Sequence, residues 1–382
     1  MLPQPTWDIF CTVVDNFGDI GVAWRLARQL AREHGLSVRL WVDDLASFQR
    51  LDRAIDPALD EQSRCGVAVR RWARPFSVIE PGDVVIETFG CDLPESYVAA
   101  MAAKVHKPAW INLEYLSAET WVEGCHGLPS PHPRLPLTKY YFFPGFTAET
   151  GGLLREHGLI ERRRAFQESA AARTEFWRSL ALNPPDEAEQ RVSLFCYPNP
   201  ALPDLLQSWA SGSERVTCLV PESIVAAGVA SFFTPQESIA PRAWRRGNLE
   251  ARILPFLDQL DYDRLLWACD CNFVRGEDSF VRAQWAARPF VWHIYPQQEN
   301  AHWVKLNAFI DRYCAAMPEP TSAALRGFWR AWNSGRGVGY IWPDFRRQWP
   351  DLGRHAEQWI NPLRQTGDLA ANLLNFSGDL LK

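Results

Sequence analysis

"WDIFCTVVDNFGDIGVAWRLARQLAREHGLSVRLWV" (residues 7–42) runs from an apolar segment through a polar turn and an amphipathic segment into a second apolar segment. Residues 7–14 are short, apolar and β-prone, which predicts a strand. From Ile20 the apolar side chains recur at helical spacing as Val22, Ala23, Leu26, Ala27, Leu30 and Ala31, with Arg25, Arg28 and Arg32 on the other side. Gly35 ends that helix, and residues 37–42 form the next strand. Two strands joined through a helix need a crossover rather than a hairpin, so the stretch reads as a parallel βαβ unit. Further strands are expected at 83–89 and 109–115. The first half is therefore a doubly wound sheet, whose ligands sit beyond the carboxyl ends of its strands.

The pattern then breaks and restarts. Residues 153–182 read as helical and charged, and "NPPDEAEQ" (183–190) reads as a polar, proline-bearing linker. Strands follow at 191–197, 215–220, 251–257 and 271–274, with helices near 202–210 and over 261–268. "RGEDSFVRAQWAARPFVWHIYPQQENAH" (275–302) adds a tight ionisable turn, a helix from about Ser279 to Ala287, a buried strand and a second polar helix start. The fold class expected is α/β, two open-sheet Rossmann-like halves facing each other across a cleft. Their bounds are set at 1–182 and 183–360, with 361–382 long enough to pack back on the first domain.

Composition narrows the function classes. A chain of 382 residues exceeds one typical core, which agrees with two domains. Hydrophobic residues make up 47% and there are 18 tryptophans, too many for a disordered chain. A net charge of −5 argues against generic binding of nucleic acid or of an anionic membrane. No apolar run reaches the roughly 18 residues of a membrane span. The start, "MLPQPTWDIF", has no basic region followed by an apolar core, so a secretory signal is not expected. Nine cysteines at irregular spacing, with Cys269 and Cys271 flanking one residue of an expected strand, form no zinc or redox pattern. They read as reduced, mostly buried thiols of a cytoplasmic protein.

Two turns carry the chemistry. In "RGEDS" (275–279), Gly276 allows close backbone approach, Arg275 supplies a permanent cation and Ser279 a hydroxyl, just ahead of a helix start whose free N–H groups favour an anion. These features together suit a diphosphate; the competing reading is an acidic cap with solvated charges. In "DNFGDIG" (15–21), Asp15 and Asp19 stand four residues apart where the first strand feeds the first helix. The turn lacks the three-glycine dinucleotide fingerprint. Its carboxylates suit a base, a bound cation or a metal, against the plainer reading that Asp19 caps the helix and Asp15 a turn. His126, His132, His293 and His302 make no convincing metal set, and GxSxG, HExxH and P-loop patterns are absent. Tyr197, Phe256 and Tyr295 stand at strand ends where a base could stack, although core packing is the commoner role of such rings.

With these blocks in view, "VVDNFGDIGVAWRLARQL", "FCYPNP", "ILPFLDQLDYDRLLWACDCNFVRGEDSFVRAQWA" and "PFVWHIYPQQENAH" together resemble the bacterial protein-arginine rhamnosyltransferases of elongation factor P. The resemblance runs along nearly the whole chain. It implies a GT-B glycosyltransferase that moves L-rhamnose from dTDP-β-L-rhamnose to an arginine of elongation factor P, with inversion, without metal and without a cofactor. It also implies roles. Asp19 matches the base, Asp15 the second essential acid and Glu277 a catalytically important glutamate, while Asn16, Phe17 and Gly18 fall among the substrate contacts. Arg275, Asp278 and Ser279 match donor contacts, and Tyr197, Phe256 and Gln259 the thymidine and donor pocket. Glu114 and Tyr295 fall near the acceptor.

The chemistry fits that match. A guanidinium stays protonated up to a pKa above about 12, so a carboxylate cannot strip it beforehand. It can hold the fork by charge-assisted hydrogen bonds and take the proton as the C–N bond forms. Helix-end amides and Arg275 would stabilise the departing diphosphate. Fold does not fix reaction, so another glycosyltransferase or a sugar-nucleotide epimerase remains an alternative, as does a non-catalytic module that binds a nucleotide or a translation factor.

Overall fold

The computed structural model describes residues 5–14, 17–77, 79–234 and 243–382. Its contacts divide the chain into two compact units, Met1–His157 with Pro362–Lys382, and Gly158–Asn361.

The first unit begins with β1 (Thr6–Cys11), α1 (Gly18–Glu33), β2 (Ser37–Val42), α2 (Leu45–Leu51), β3 (Glu61–Arg64) and β4 (Val67–Arg71). It continues with β5 (Val84–Thr88), α3 (Glu95–Ala103), β6 (Ala109–Leu113), α4 (Trp121–Cys125), β7 (Pro129–Pro131) and β8 (Thr138–Phe142). The strand order is β3-β4-β2-β1-β5-β6-β8-β7. The inner six are parallel, and β3 and β7 pair antiparallel at the two edges. Every residue of β5 and β6 is buried, as befits central parallel strands covered on both faces.

β1 hides a charge. Asp8 is fully buried, which is tolerable because its carboxylate is surrounded by donors. Arg39 donates from Nε at 2.6 Å and Nη2 at 2.5 Å, Trp41 from Nε1 at 2.9 Å, the Gly82 amide at 2.7 Å, and the Tyr97 hydroxyl as well. The helical face assigned to α1 needs correction. Arg25 does not face solvent: it is 1% exposed and pairs with Glu156 at 3.3 Å. Arg28 lies over the Trp24 ring at 5.2 Å. Chain on that side covers the helix, as Gln29 Nε2 shows by donating to the Arg155 carbonyl at 3.0 Å and to Asp368 at 3.1 Å.

The second unit runs α5 (Leu159–Glu168), α6 (Ala170–Ser179), β9 (Glu189–Leu194), α7 (Leu202–Ser211), β10 (Arg215–Pro221), α8 (Val225–Phe233), β11 (Ala243–Arg246) and β12 (Leu249–Leu254). Then come α9 (Gln259–Ala268), β13 (Cys271–Arg275), α10 (Asp278–Ala286), β14 (Phe290–His293), a short turn of helix at Gln298–Asn300, α11 (Ala301–Cys314), α12 (Glu319–Ser334), α13 (Val338–Arg347) and α14 (Trp349–Gln365). Its sheet order is β11-β12-β10-β9-β13-β14, all parallel except the β11 edge.

Residues 158–182 group with this second unit, whereas the sequence reading drew the boundary after 182. The reason is packing. Phe166 meets Trp267 edge-on at 5.8 Å, and Arg191 of β9 lies over Trp177 at 4.1 Å. Arg163, with no exposure, forks onto Glu357 at 2.6 and 2.9 Å. Residues 153–157, expected helical, are not, and Cys269 caps α9 rather than lying in a strand.

The chain ends with α15 (Leu369–Leu380), which belongs to the first unit. Leu153 bridges to Asp368, and Phe376 packs on Phe142 at 5.4 Å. All nine cysteines are free thiols, and all but Cys65 and Cys125 are buried. Among the described residues no helix is long and apolar enough to cross a membrane.

Candidate active site

In an open parallel sheet, ligands collect where the chain reverses its direction of travel, because the loops leaving the two central strands diverge there. Each unit has one such point. In the first sheet it lies between β1 and β5; in the second, between β9 and β13. The residues singled out from sequence gather after the carboxyl ends of these strands.

In the first unit, Phe17 occupies the N-cap position of α1, Gly18 opens the helix and Asp19 lies in its first turn. Asp15 and Asn16 lie outside the described residues. Asp19 is 3% exposed and does not cap the helix. Its Oδ2 accepts the Val14 amide at 2.9 Å, folding the carboxylate back over the loop, and its Oδ1 accepts the Tyr115 hydroxyl at 3.1 Å. The Tyr115 ring is stacked on Phe89, with centroids 4.4 Å apart and planes 14° apart. Beside them the Asn112 amide donates to Glu114 Oε1 at 2.6 Å, while its carbonyl accepts the Gly90 amide at 3.1 Å. Glu114 is thus brought to the same strand ends as Asp19. Burial, and then the Asp19 carboxylate, push the Cys11 thiol well above its ordinary value, so it stays protonated beneath this loop.

In the second unit, β13 delivers Arg275 and α10 starts three residues later. The guanidinium of Arg275 lies over two rings, Phe195 at 4.5 Å and Tyr197 at 4.7 Å. It is 8% exposed, and among the described residues no carboxylate forms an ion pair with it. Gly276 adopts φ +60°, and its carbonyl accepts the Trp292 indole at 2.9 Å, which fixes the turn. Ser279 is used within that turn: its hydroxyl accepts the Arg275 amide at 3.1 Å and donates to the Arg275 carbonyl. Glu277 is the N-cap residue of α10 and Asp278 lies in its first turn. Gln259, 5% exposed, opens α9 and donates to Asp278 at 3.4 Å, while Asp258 caps that helix by accepting the Leu260 and Asp261 amides. Phe256 is half-buried between β12 and α9. Tyr295 is 50% exposed and meets Tyr197 edge-on at 5.4 Å.

Burial, then Arg275 and His302, lower the His293 pKa to about 3, so this imidazole is neutral. β13 and β14 pair Arg275 with His293 in register. A buried cation between aromatic faces, next to helix-end amides, suits a nucleoside diphosphate. The sequence reading missed Phe195 and Tyr115. Phe195 stands two residues from Tyr197, which in extended chain puts both rings on one face; that spacing was a usable signal. Tyr115 gave none, because its partner is 96 residues away. Among the described residues no group of three or more His, Cys, Asp or Glu is placed to hold a metal ion.

The two parallel-rich sheets with flanking helices are of the GT-B glycosyltransferase type. The family model of the elongation factor P (EF-P) rhamnosyltransferase EarP matches residues 7–378. Over 373 residues the chain is 51% identical to the protein-arginine rhamnosyltransferase of Pseudomonas putida, with 98% of each chain covered. It is 50% identical over 376 residues to that of Pseudomonas aeruginosa, covering 98% of this chain and 100% of the other. A solved structure described as the structural basis for EarP-mediated arginine glycosylation of translation elongation factor EF-P is similar at TM-score 0.70 and 37% identity, covering 98% of this chain and 99% of that one.

Proposed function

The chain belongs to the EarP family of elongation factor P rhamnosyltransferases, and from that membership we propose that its donor is dTDP-β-L-rhamnose, its acceptor one arginine of elongation factor P, and its reaction an inverting, metal-independent transfer. It is a protein-arginine rhamnosyltransferase. The observation that carries the donor side is Arg275, a buried cation over two rings at the switch point of its sheet, beside the start of α10. A diphosphate would supply a counter-charge to Arg275, and α10's first amides would donate hydrogen bonds to the leaving oxygen as charge grows on it. Tyr197 and Phe256 would face the nucleoside. Glu277 and Asp278 are acceptors suited to sugar hydroxyls, with Asp278 steadied by Gln259.

The acceptor side rests on Asp19. Its two oxygens are held by Val14 and Tyr115, so the carboxylate is oriented before a substrate arrives. A guanidinium nitrogen attacks the anomeric carbon, the bond to the diphosphate oxygen breaks with its electron pair, and Asp19 takes the proton released from nitrogen. Glu114 offers the fork a second carboxylate, and Asp15 is assigned to support Asp19. Attack opposite the leaving group inverts the carbon.

Intact-mass analysis of elongation factor P after incubation with enzyme and dTDP-rhamnose tests this reading. One added deoxyhexose, undiminished in EDTA, is expected. Isomerised donor with unmodified factor would instead mean an epimerase, and an unchanged mixture a binding module. Running UDP-rhamnose in parallel tests the nucleotide, and NMR of the product's anomeric carbon tests inversion.

A further inference from the structure

We infer that Tyr115 is a positioning residue for the transfer: its hydroxyl, donated to Asp19, fixes that carboxylate in the orientation and anionic state the guanidinium requires. The inference rests on the reading of Asp19 as the group that takes the proton. Three observations carry it.

The first is the clamp itself. Asp19 Oδ2 accepts from the Val14 amide at 2.9 Å and Oδ1 from the Tyr115 hydroxyl at 3.1 Å. A donor on each of the two oxygens resists rotation of the carboxylate about its own axis. The second is where the tyrosine stands. It follows the carboxyl end of β6 and is 38% exposed, so its ring is not a core anchor. Phenylalanine would make the same stack on Phe89, and only the hydroxyl accounts for a tyrosine here.

The third is the support beneath the ring. Phe89 has φ +59°, a left-handed conformation that is costly for an aromatic residue. Its amide is fixed to the Leu113 carbonyl at 2.7 Å, across the β5–β6 strand ends. The backbone thus holds the ring that holds Tyr115, at the strand ends where ligands collect. Other titratable groups around the loop are Cys11 on β1, Asp43 after β2, which accepts the Val13 amide at 2.9 Å, and Glu114 beside Tyr115. Cys11 stays protonated, so it does not follow Asp19 through the acid range.

Tyr115→Phe keeps the stack and removes the donor. Single-turnover transfer to elongation factor P, measured across the acid range with saturating dTDP-rhamnose, should fall about ten-fold. A hydrogen bond to the charged form lowers an acid's pKa, so losing it should move the acid limb upward by about one pH unit. The melting temperature and dTDP affinity should match the wild type. A wild-type rate and acid limb would overturn the inference, as would a loss equal at every pH. Asp19→Asn is measured alongside. If that variant transfers normally, the base reading itself has failed. If it is inactive while Tyr115→Phe behaves as wild type, only the positioning role has failed.

Discussion

Arg275 can be tested apart from the chemistry. Removing its guanidinium by Arg275→Ala takes away a charge-assisted contact and leaves Phe195 and Tyr197 to close on each other. Calorimetry should show dTDP binding weakened by about 1–3 kcal/mol; unchanged affinity would remove Arg275 from the donor site. Asp19→Asn tests the other unit. Asparagine keeps the size and can still accept the Val14 amide, so the fold and donor affinity should survive while turnover drops roughly 10²–10⁴-fold. Asp19 does not cap α1, so a role confined to holding the loop forecasts near-normal turnover in this variant. Asp19 and Arg275 stand out as candidates in sequence because charge and glycine cluster in "DNFGDIG" and "RGEDS". What sequence hid was their partnership. Ser279 reads in sequence as a hydroxyl for the ligand, and the structure adds that this hydroxyl closes the Arg275 turn. Tyr115 became visible only when β6 brought it to Asp19.

Central elements were readable and edges were not. β1, β2, β5 and β6 announce themselves as apolar runs because both faces are covered. β3 (EQSR) and β7 (PSP) are short, polar and paired on one side only, so no hydrophobic period marks them. The helix near 279–287 was placed within a residue, yet it stops at Ala287 in a left-handed conformation without the glycine that usually signals such an end. α5 groups with the second unit, whereas sequence suggests a boundary after 182, and one contact behind that grouping is remote: Arg163 reaches Glu357, 194 residues away. That pair lends itself to measurement. Hydrogen bonding from Arg163, then from Arg164, holds the Glu357 carboxyl below its usual range despite partial burial. Its contribution is therefore complete above the ordinary glutamate pKa of about 4.3 and fades as pH falls through the lower folded value. Glu357→Gln strands a buried arginine, and chemical denaturation at neutral pH should show a loss of roughly 1–3 kcal/mol, tempered by the half-exposed carboxylate. The difference between variant and wild type should shrink in acid; a constant gap would mean that the charge is irrelevant.

At the scale of the whole molecule, the net charge of −5 argues against generic steering onto RNA, and selection of the arginine is expected to fall to the acceptor's own surface. A folded acceptor domain should be modified far faster than an unstructured peptide carrying the same arginine, because the fold presents the side chain already aligned. Equal rates for the two would refute this. The return of residues 362–382 to the first unit has a consequence for how the protein is made. A ribosome releases the N-terminal 157 residues long before α15, whose Asp368 and Phe376 cover Gln29 and Phe142. The second unit, contiguous from 158 to 361, has all its strands and helices while the first still waits for its last helix. The earliest-synthesised half is thus the last to close. Truncated chains ending between α14 and α15, at residues 366–367, should therefore show the first unit cut readily by protease while the second resists, and the vulnerability should vanish once α15 is present.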